Sequence, residues 1–210
     1  MEIETPHGPG RVEIDDAARP WLLLALTHGS AGGVESADLL AVRDAGAAAG
    51  VSVARIVQPF RLRGARAPGP AVKQDEAWLA LTAALRGLRP GLPLVQGGRS
   101  NGARVACRTA VAAGAVGVVA LAFPLHPPGR PERSRAAELR GAGVPVLVVN
   151  GDRDAFGVPD GADADRLVVL AGEGHELRKD PARVGAEVTG WLEERIRPRC
   201  SPGRSAGGGR

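Results

Sequence analysis

The chain has no tyrosine, three phenylalanines, three tryptophans and one methionine in 210 residues. With aromatics at 3%, the core must be filled by Val, Leu and Ala, and an apolar fraction of 44% is ordinary for a globular protein. Cysteine is nearly absent. Cys107 falls in a helix-period segment, where a small buried thiol is the usual reading, and Cys200 lies in a polar C-terminal stretch. Two such cysteines exclude a disulfide framework and leave a reducing cytoplasm as the expected compartment. Long apolar runs are missing too. Val144 to Val149 is far too short to cross a bilayer, so no membrane partner is expected. The first residues, Met1-Glu2-Ile3-Glu4-Thr5-Pro6, lack an apolar h-region, and no signal peptide is expected.

Lysine is the last scarcity. Only Lys73 and Lys179 are lysines among 27 basic residues; the other 25 are arginines. A net charge of +4 could suggest nucleic acid, but the arginines are scattered among acids. Ala, Gly and Arg are all abundant, which a compositional bias explains better than a phosphate-binding face. Nucleic acid is therefore not an expected partner. Neither a metal-ligand cluster nor a Gly-x-x-x-x-Gly-Lys loop occurs, so no metal and no cofactor are expected.

What is present is alternation. Apolar runs of strand length lie at Arg11 to Ile14, Trp21 to Leu26, Ser52 to Val57, Leu92 to Gln96, Val116 to Ala122, Val144 to Asn150 and Leu167 to Leu170. Helix-period segments lie at Glu35 to Ala49, Gln74 to Leu88, Ala103 to Ala113, Glu132 to Gly141 and Pro181 to Arg195. Near-continuous Val/Leu/Ile strands are expected where helices cover both faces of a parallel sheet. The reading is an α/β fold with a doubly wound, mostly parallel sheet of about seven strands. A chain this long fits one domain, placed at residues 1–197. The tail 198–210, all Gly, Ser, Pro, Arg, Cys and Ala, is expected to be disordered.

One of those strands carries a motif. Leu92 to Gln96 runs into Gly98-Arg99-Ser100-Asn101-Gly102, and a small-residue helix follows at once. This strand–turn–helix layout lifts a serine hydroxyl above the end of a parallel sheet, in a turn too tight for side chains at Gly98 and Gly102. Gly203-Arg204-Ser205-Ala206-Gly207 fits the same pattern, but no apolar strand precedes it and no helix follows. Context selects Ser100.

A nucleophilic serine requires an acid and then a histidine downstream, each in a loop after a strand. Val144 to Asn150 is followed by Gly151-Asp152-Arg153-Asp154, and Leu167 to Leu170 by Ala171-Gly172-Glu173-Gly174-His175. His175 is the candidate base. Both Asp152 and Asp154 are candidate acids; Asp152 also suits a turn or capping role, and reach favours Asp154. Donors for a developing oxyanion are expected from the backbone of Asn101 and of the Thr27-His28-Gly29-Ser30-Ala31-Gly32-Gly33 loop, with Ser30 preferred and Ala31 second. His28 is expected to hold that loop by hydrogen bonding, and His7 to be solvated.

At this point the chain resembles the α/β-hydrolase superfamily near its dienelactone-hydrolase branch. More narrowly, it resembles the family of a testis-expressed protein and of the hydrolase-like domain of a nonspecific-lethal chromatin-complex subunit. The likeness rests on Leu26-Thr27-His28-Gly29, Gly98 to Ala106, Gly151 to Gly157, Gly174-His175 and the run Phe123-Pro124-Leu125-His126-Pro127-Pro128-Gly129-Arg130-Pro131-Glu132-Arg133, and spans about residues 10–195. It implies a capless hydrolase fold with Ser100, Asp154 and His175 as the triad. Asn101 and Ala155 stand where that family usually has Met and Pro.

His126 is a possible substrate contact. About ten residues separate Ala122 from the helix expected near Glu132, too few for a lid. The expectation is a serine hydrolase acting on small esters, lactones or thioesters. A non-catalytic interaction module on the same fold is the rival reading.

Overall fold

The computed structural model describes residues 1–200. The strands are β1 (Glu2–Ile3), β2 (Gly10–Asp15), β3 (Leu22–Thr27), β4 (Val51–Val57), β5 (Leu94–Arg99), β6 (Gly117–Leu121), β7 (Val146–Gly151) and β8 (Arg166–Leu170). The helices are α1 (Ala37–Ala48), α2 (Pro59–Leu62), α3 (Ala71–Leu88), α4 (Asn101–Thr109), α5 (Ala136–Arg140), α6 (Pro181–Trp191) and α7 (Arg197–Cys200), with a π-helical turn (Leu192–Ile196) joining the last two. Most of the expected tail, 201–210, and the second Gly-x-Ser-x-Gly at Ser205 lie outside the described residues; the tail's first three residues fall in α7.

All eight strands form one sheet in the order β1-β2-β4-β3-β5-β6-β7-β8. β1 and β2 pair antiparallel, β2 pairs antiparallel with β4, and the remaining six strands are parallel. All seven expected strands are present. The eighth, β1, is two residues long, below the length at which apolar patterning shows.

Period-two geometry divides the core between the faces of the sheet. Leu22, Leu24 and Leu26 face a cluster with Leu39 and Val42 of α1 and Val184, Val188 and Trp191 of α6. Leu23 and Ala25 face the opposite cluster, with Trp78, Leu81 and Leu85 of α3 and Val105 and Ala106 of α4. The residues of α3 follow helical spacing, so a single stripe is buried. β2, on the antiparallel side, begins with alternating buried and exposed residues, as a strand covered on one face does.

The chain leaves β3 for β4 on one side and returns to β5 on the other. The order therefore reverses between β3 and β5, and the carboxyl ends of those strands frame the crevice where ligands of such sheets bind. The connection 122–135, after β6, is longer than expected because α5 begins at Ala136 rather than near Glu132. Arg135 N–H donates to Leu125 O at 2.7 Å and closes this segment into a loop before the helix starts. Among the described residues no separate cap domain covers the crevice.

Candidate active site

The end of β5 passes directly into α4 through Ser100, whose φ of 51° and ψ of −116° are costly for any residue with a Cβ. Packing enforces that conformation. A Cβ on Gly98 would lie 2.5 Å from Thr27 O, and one on Gly102 would lie 2.8 Å from His28 O. Ser100 N–H donates to Leu121 O at 2.9 Å, which ties the turn to β6. The hydroxyl is left at the mouth of the crevice.

Two loops meet it. His175 Nε2 lies 2.9 Å from Ser100 Oγ, and His175 Nδ1 lies 2.8 Å from Asp154 Oδ2. An ionised carboxylate only accepts, so Asp154 fixes the Nδ1–H tautomer and turns the Nε2 lone pair toward the hydroxyl. The Asp154 side chain is fully buried and also accepts from Phe156 N–H at 2.8 Å. Phe156 stacks on the imidazole, ring centroids 4.2 Å apart. Asp152 is exposed and accepts from Gly172 N–H at 2.7 Å, joining the two loops away from the histidine.

The loop carrying His175 is anchored by Glu173, a buried residue that the sequence reading passed over. Its Oε1 accepts from the N–H groups of Lys179 and Asp180 at 2.7 and 2.8 Å, and its carbonyl accepts from Arg153 N–H at 2.9 Å. Two side chains, one on each side of Ser100, have partners that no local sequence signal marks. Arg99 is buried; its Nε donates to Asp38 Oδ2 at 2.9 Å, and its Nη2 donates to the His175 carbonyl at 2.7 Å. Asn101 Nδ2 donates to Gln74 Oε1 at 2.7 Å. Asp38 looks like an ordinary acid in the first turn of a helix, and no local signal pairs it with an arginine 61 residues away.

The cleft around the hydroxyl measures about 450 Å³, and Ser30, Asn101 and Phe156 line it with His175. Among the described residues the backbone N–H groups of Ser30 and Asn101 have no hydrogen-bond acceptor within the chain. His28 is buried; its Nδ1–H donates to Gly29 O at 2.7 Å and its Nε2 accepts from Gln58 N–H at 3.1 Å. Burial lowers its pKa below the usual histidine value, which keeps the ring neutral as that acceptor role requires. His28 thus holds the Gly29 loop, as expected.

His126 is not brought to the cleft. Its Nδ1–H donates to Pro127 O at 2.9 Å, and its ring packs on Gly157. His7 is half-buried rather than solvated, with Nε2 2.5 Å from Glu76 Oε2. A second cavity, of about 390 Å³ between α2 and α3, contains none of Ser100, Asp154 and His175. Among the described residues no three His, Cys, Asp or Glu are placed to hold a metal ion, and no helix is long and apolar enough to cross a membrane. A serine hydroxyl bonded to an imidazole that is itself bonded to a buried carboxylate can pass its proton to the ring and become a nucleophile.

Comparison with known proteins leads to the same fold. No curated relative matches the sequence. Among solved structures, the chain is similar to Est1E from Butyrivibrio proteoclasticus, with a TM-score of 0.75 at 17% identity, covering 94% of this chain and 99% of that one. It is similar to an α/β serine hydrolase without a lid from Xanthomonas campestris, with a TM-score of 0.68 at 21% identity over 97% and 95% of the two chains. A dienelactone hydrolase from Anabaena variabilis aligns with a TM-score of 0.72 at 17% identity over 92% and 95%. Residues 20–177, from just before β3 to the loop that holds His175, match the alpha/beta hydrolase domain family, and the chain belongs to that family.

Proposed function

We propose that the protein is a serine hydrolase that cleaves small carboxylic esters, lactones or thioesters through an acyl-Ser100 intermediate. The observation that carries this is the continuous hydrogen-bonded line from Ser100 Oγ through His175 to the buried Asp154. Ser100 Oγ attacks the carbonyl carbon while His175 Nε2 takes its proton. The negative charge on the carbonyl oxygen is received by the N–H groups of Asn101 and Ser30. His175 then gives the proton to the departing alcohol or thiol, and a water activated by the same imidazole releases the acid. Asp154 holds the ring in its tautomer throughout; Asp152 takes no part.

Within the family we place the chain beside the testis-expressed protein and the nonspecific-lethal subunit, on the Pro124-Leu125-His126-Pro127-Pro128-Gly129 run. A reducing cytoplasm suits the free Cys107, whose thiol burial pushes up to about 12 and so leaves inert. The test is labelling with a fluorophosphonate. Ser100 should be modified, and Ser100→Ala should abolish labelling in a folded protein; labelling that survives the substitution removes Ser100 from the mechanism.

With no cap domain, a long acyl chain gains little of the ~0.8 kcal/mol that each buried methylene contributes. Specificity constants for p-nitrophenyl esters should peak at about two to four acyl carbons. A steady rise to about eight or more acyl carbons would overturn the open-site reading.

A further inference from the structure

We infer that the cleft beside Ser100 selects substrates that carry a second, negatively charged group, and that the Arg135 guanidinium binds that group. The inference rests on the hydrolase reading and narrows its substrate class. Three arginines line the cleft, Arg99, Arg104 and Arg135, against one carboxylate, Glu176. Two of the three are already matched. Arg99 pairs with Asp38 at 2.9 Å and with Glu176 at 3.4 Å. Arg104 holds Glu138 with both Nε and Nη2, at 2.8 and 2.6 Å.

Arg135 is different. It is half-buried in the cleft wall, and among the described residues it forms no ion pair. Its guanidinium donates once, from Nη1 to Pro124 O at 2.9 Å. Four of its five N–H groups remain for a planar acceptor, and a carboxylate matches that fork. The bond to Pro124 O orients the guanidinium before any ligand arrives, and the backbone beneath it is fixed by Arg135 N–H donating to Leu125 O at 2.7 Å. Burial first, and then the charges of Arg104 and Arg133 against the opposing charge of Glu138, push its pKa below the usual arginine value. An anion seated at Arg135 would relieve that repulsion and restore the lost solvation. Among the described residues Arg135 thus lines the crevice as its unpaired cation, and with Arg104 and Arg133 it also lines the adjoining pocket.

The acid group can sit in the acyl part or in the leaving group, and two substrate pairs separate these. The first compares p-nitrophenyl hemisuccinate with p-nitrophenyl butyrate; the second compares the acetate ester of 4-hydroxybenzoate with phenyl acetate. In at least one pair the acidic ester should have a kcat/KM about ten- to a hundredfold above its neutral partner, mainly through KM, with the advantage shrinking as salt rises. Arg135→Gln should bring that ratio to about one, and Arg135→Glu should invert it.

Ratios near one in both pairs for the unaltered protein, or ratios that neither substitution moves, overturn the proposal. Fluorophosphonate labelling is run on every variant and shows that the site is folded. Failure of the unaltered protein both to label with the fluorophosphonate and to turn over any of the four esters overturns the hydrolase reading itself, and this proposal with it.

Discussion

The end of β5 and the ends of β7 and β8 bring their groups to one point by different physical means. At β5 the backbone does the positioning: Ser100 is forced to a φ of 51° by a turn with no room for side chains at Gly98 or Gly102. At β7 and β8, neither Asp154 nor His175 has a positive φ. Besides backbone bonds such as Arg153 N–H to Glu173 O, their loops are held by side chains, by Asp152 on Gly172, Glu173 on Asp180 and Arg99 on the His175 carbonyl. Strain written into a local turn survives most changes nearby, whereas a loop tied by distant side chains depends on each of them.

The largest effect tests the strained side. Ser100→Gly and Ser100→Ala should both lower turnover on the order of 10⁶, since each removes the nucleophile. They should differ in stability. Gly releases strain of about 1–3 kcal/mol that Ala keeps, so Ser100→Gly should melt at the higher temperature. Equal melting temperatures would mean that the turn stores no strain.

Next in size is the pair of acids in one loop. Asp154→Asn should cost on the order of 10⁴ in turnover because the wrong imidazole tautomer is then held. Asp152→Asn loses a loop tie and should cost far less. Steady-state kinetics of both variants decide the matter, and the reverse ranking would move the acid to Asp152.

The smallest change in rate, with a large one in stability, concerns Arg99. Arg99→Met leaves the buried Asp38 without its counter-charge and should destabilise the fold by about 3–5 kcal/mol. Adding Asp38→Leu removes the stranded charge and should restore much of that stability in thermal unfolding. Turnover should stay below that of the unaltered protein, because the His175 carbonyl has lost its donor. Full activity in the double variant would reduce Arg99 to a structural residue.

The same contrast explains what was legible in the sequence. Strand–turn–helix context marked Ser100, and chain order marked the loops of Asp154 and His175, because each signal is local. Seven strands could be read because parallel strands buried on both faces are unbroken apolar runs. β1 is too short to show a pattern, and α5 starts late because Arg135 first closes a loop on Leu125. Arg99 with Asp38 and Asn101 with Gln74 were invisible, since each pairing joins residues that only the tertiary fold brings near; Glu173 meets Lys179 and Asp180 within one loop, where no periodic pattern marks a buried acid.

Arg99 and Asn101 flank Ser100 and reach into opposite helical layers, one to Asp38 in α1 and the other to Gln74 in α3. The serine is thereby tethered to both faces of the sheet at once. Neither layer can swing away without pulling on a residue adjacent to the nucleophile. Heat inactivation of such a protein follows the melting of the sheet as a unit, with no temperature interval in which a folded core outlives its reactive centre.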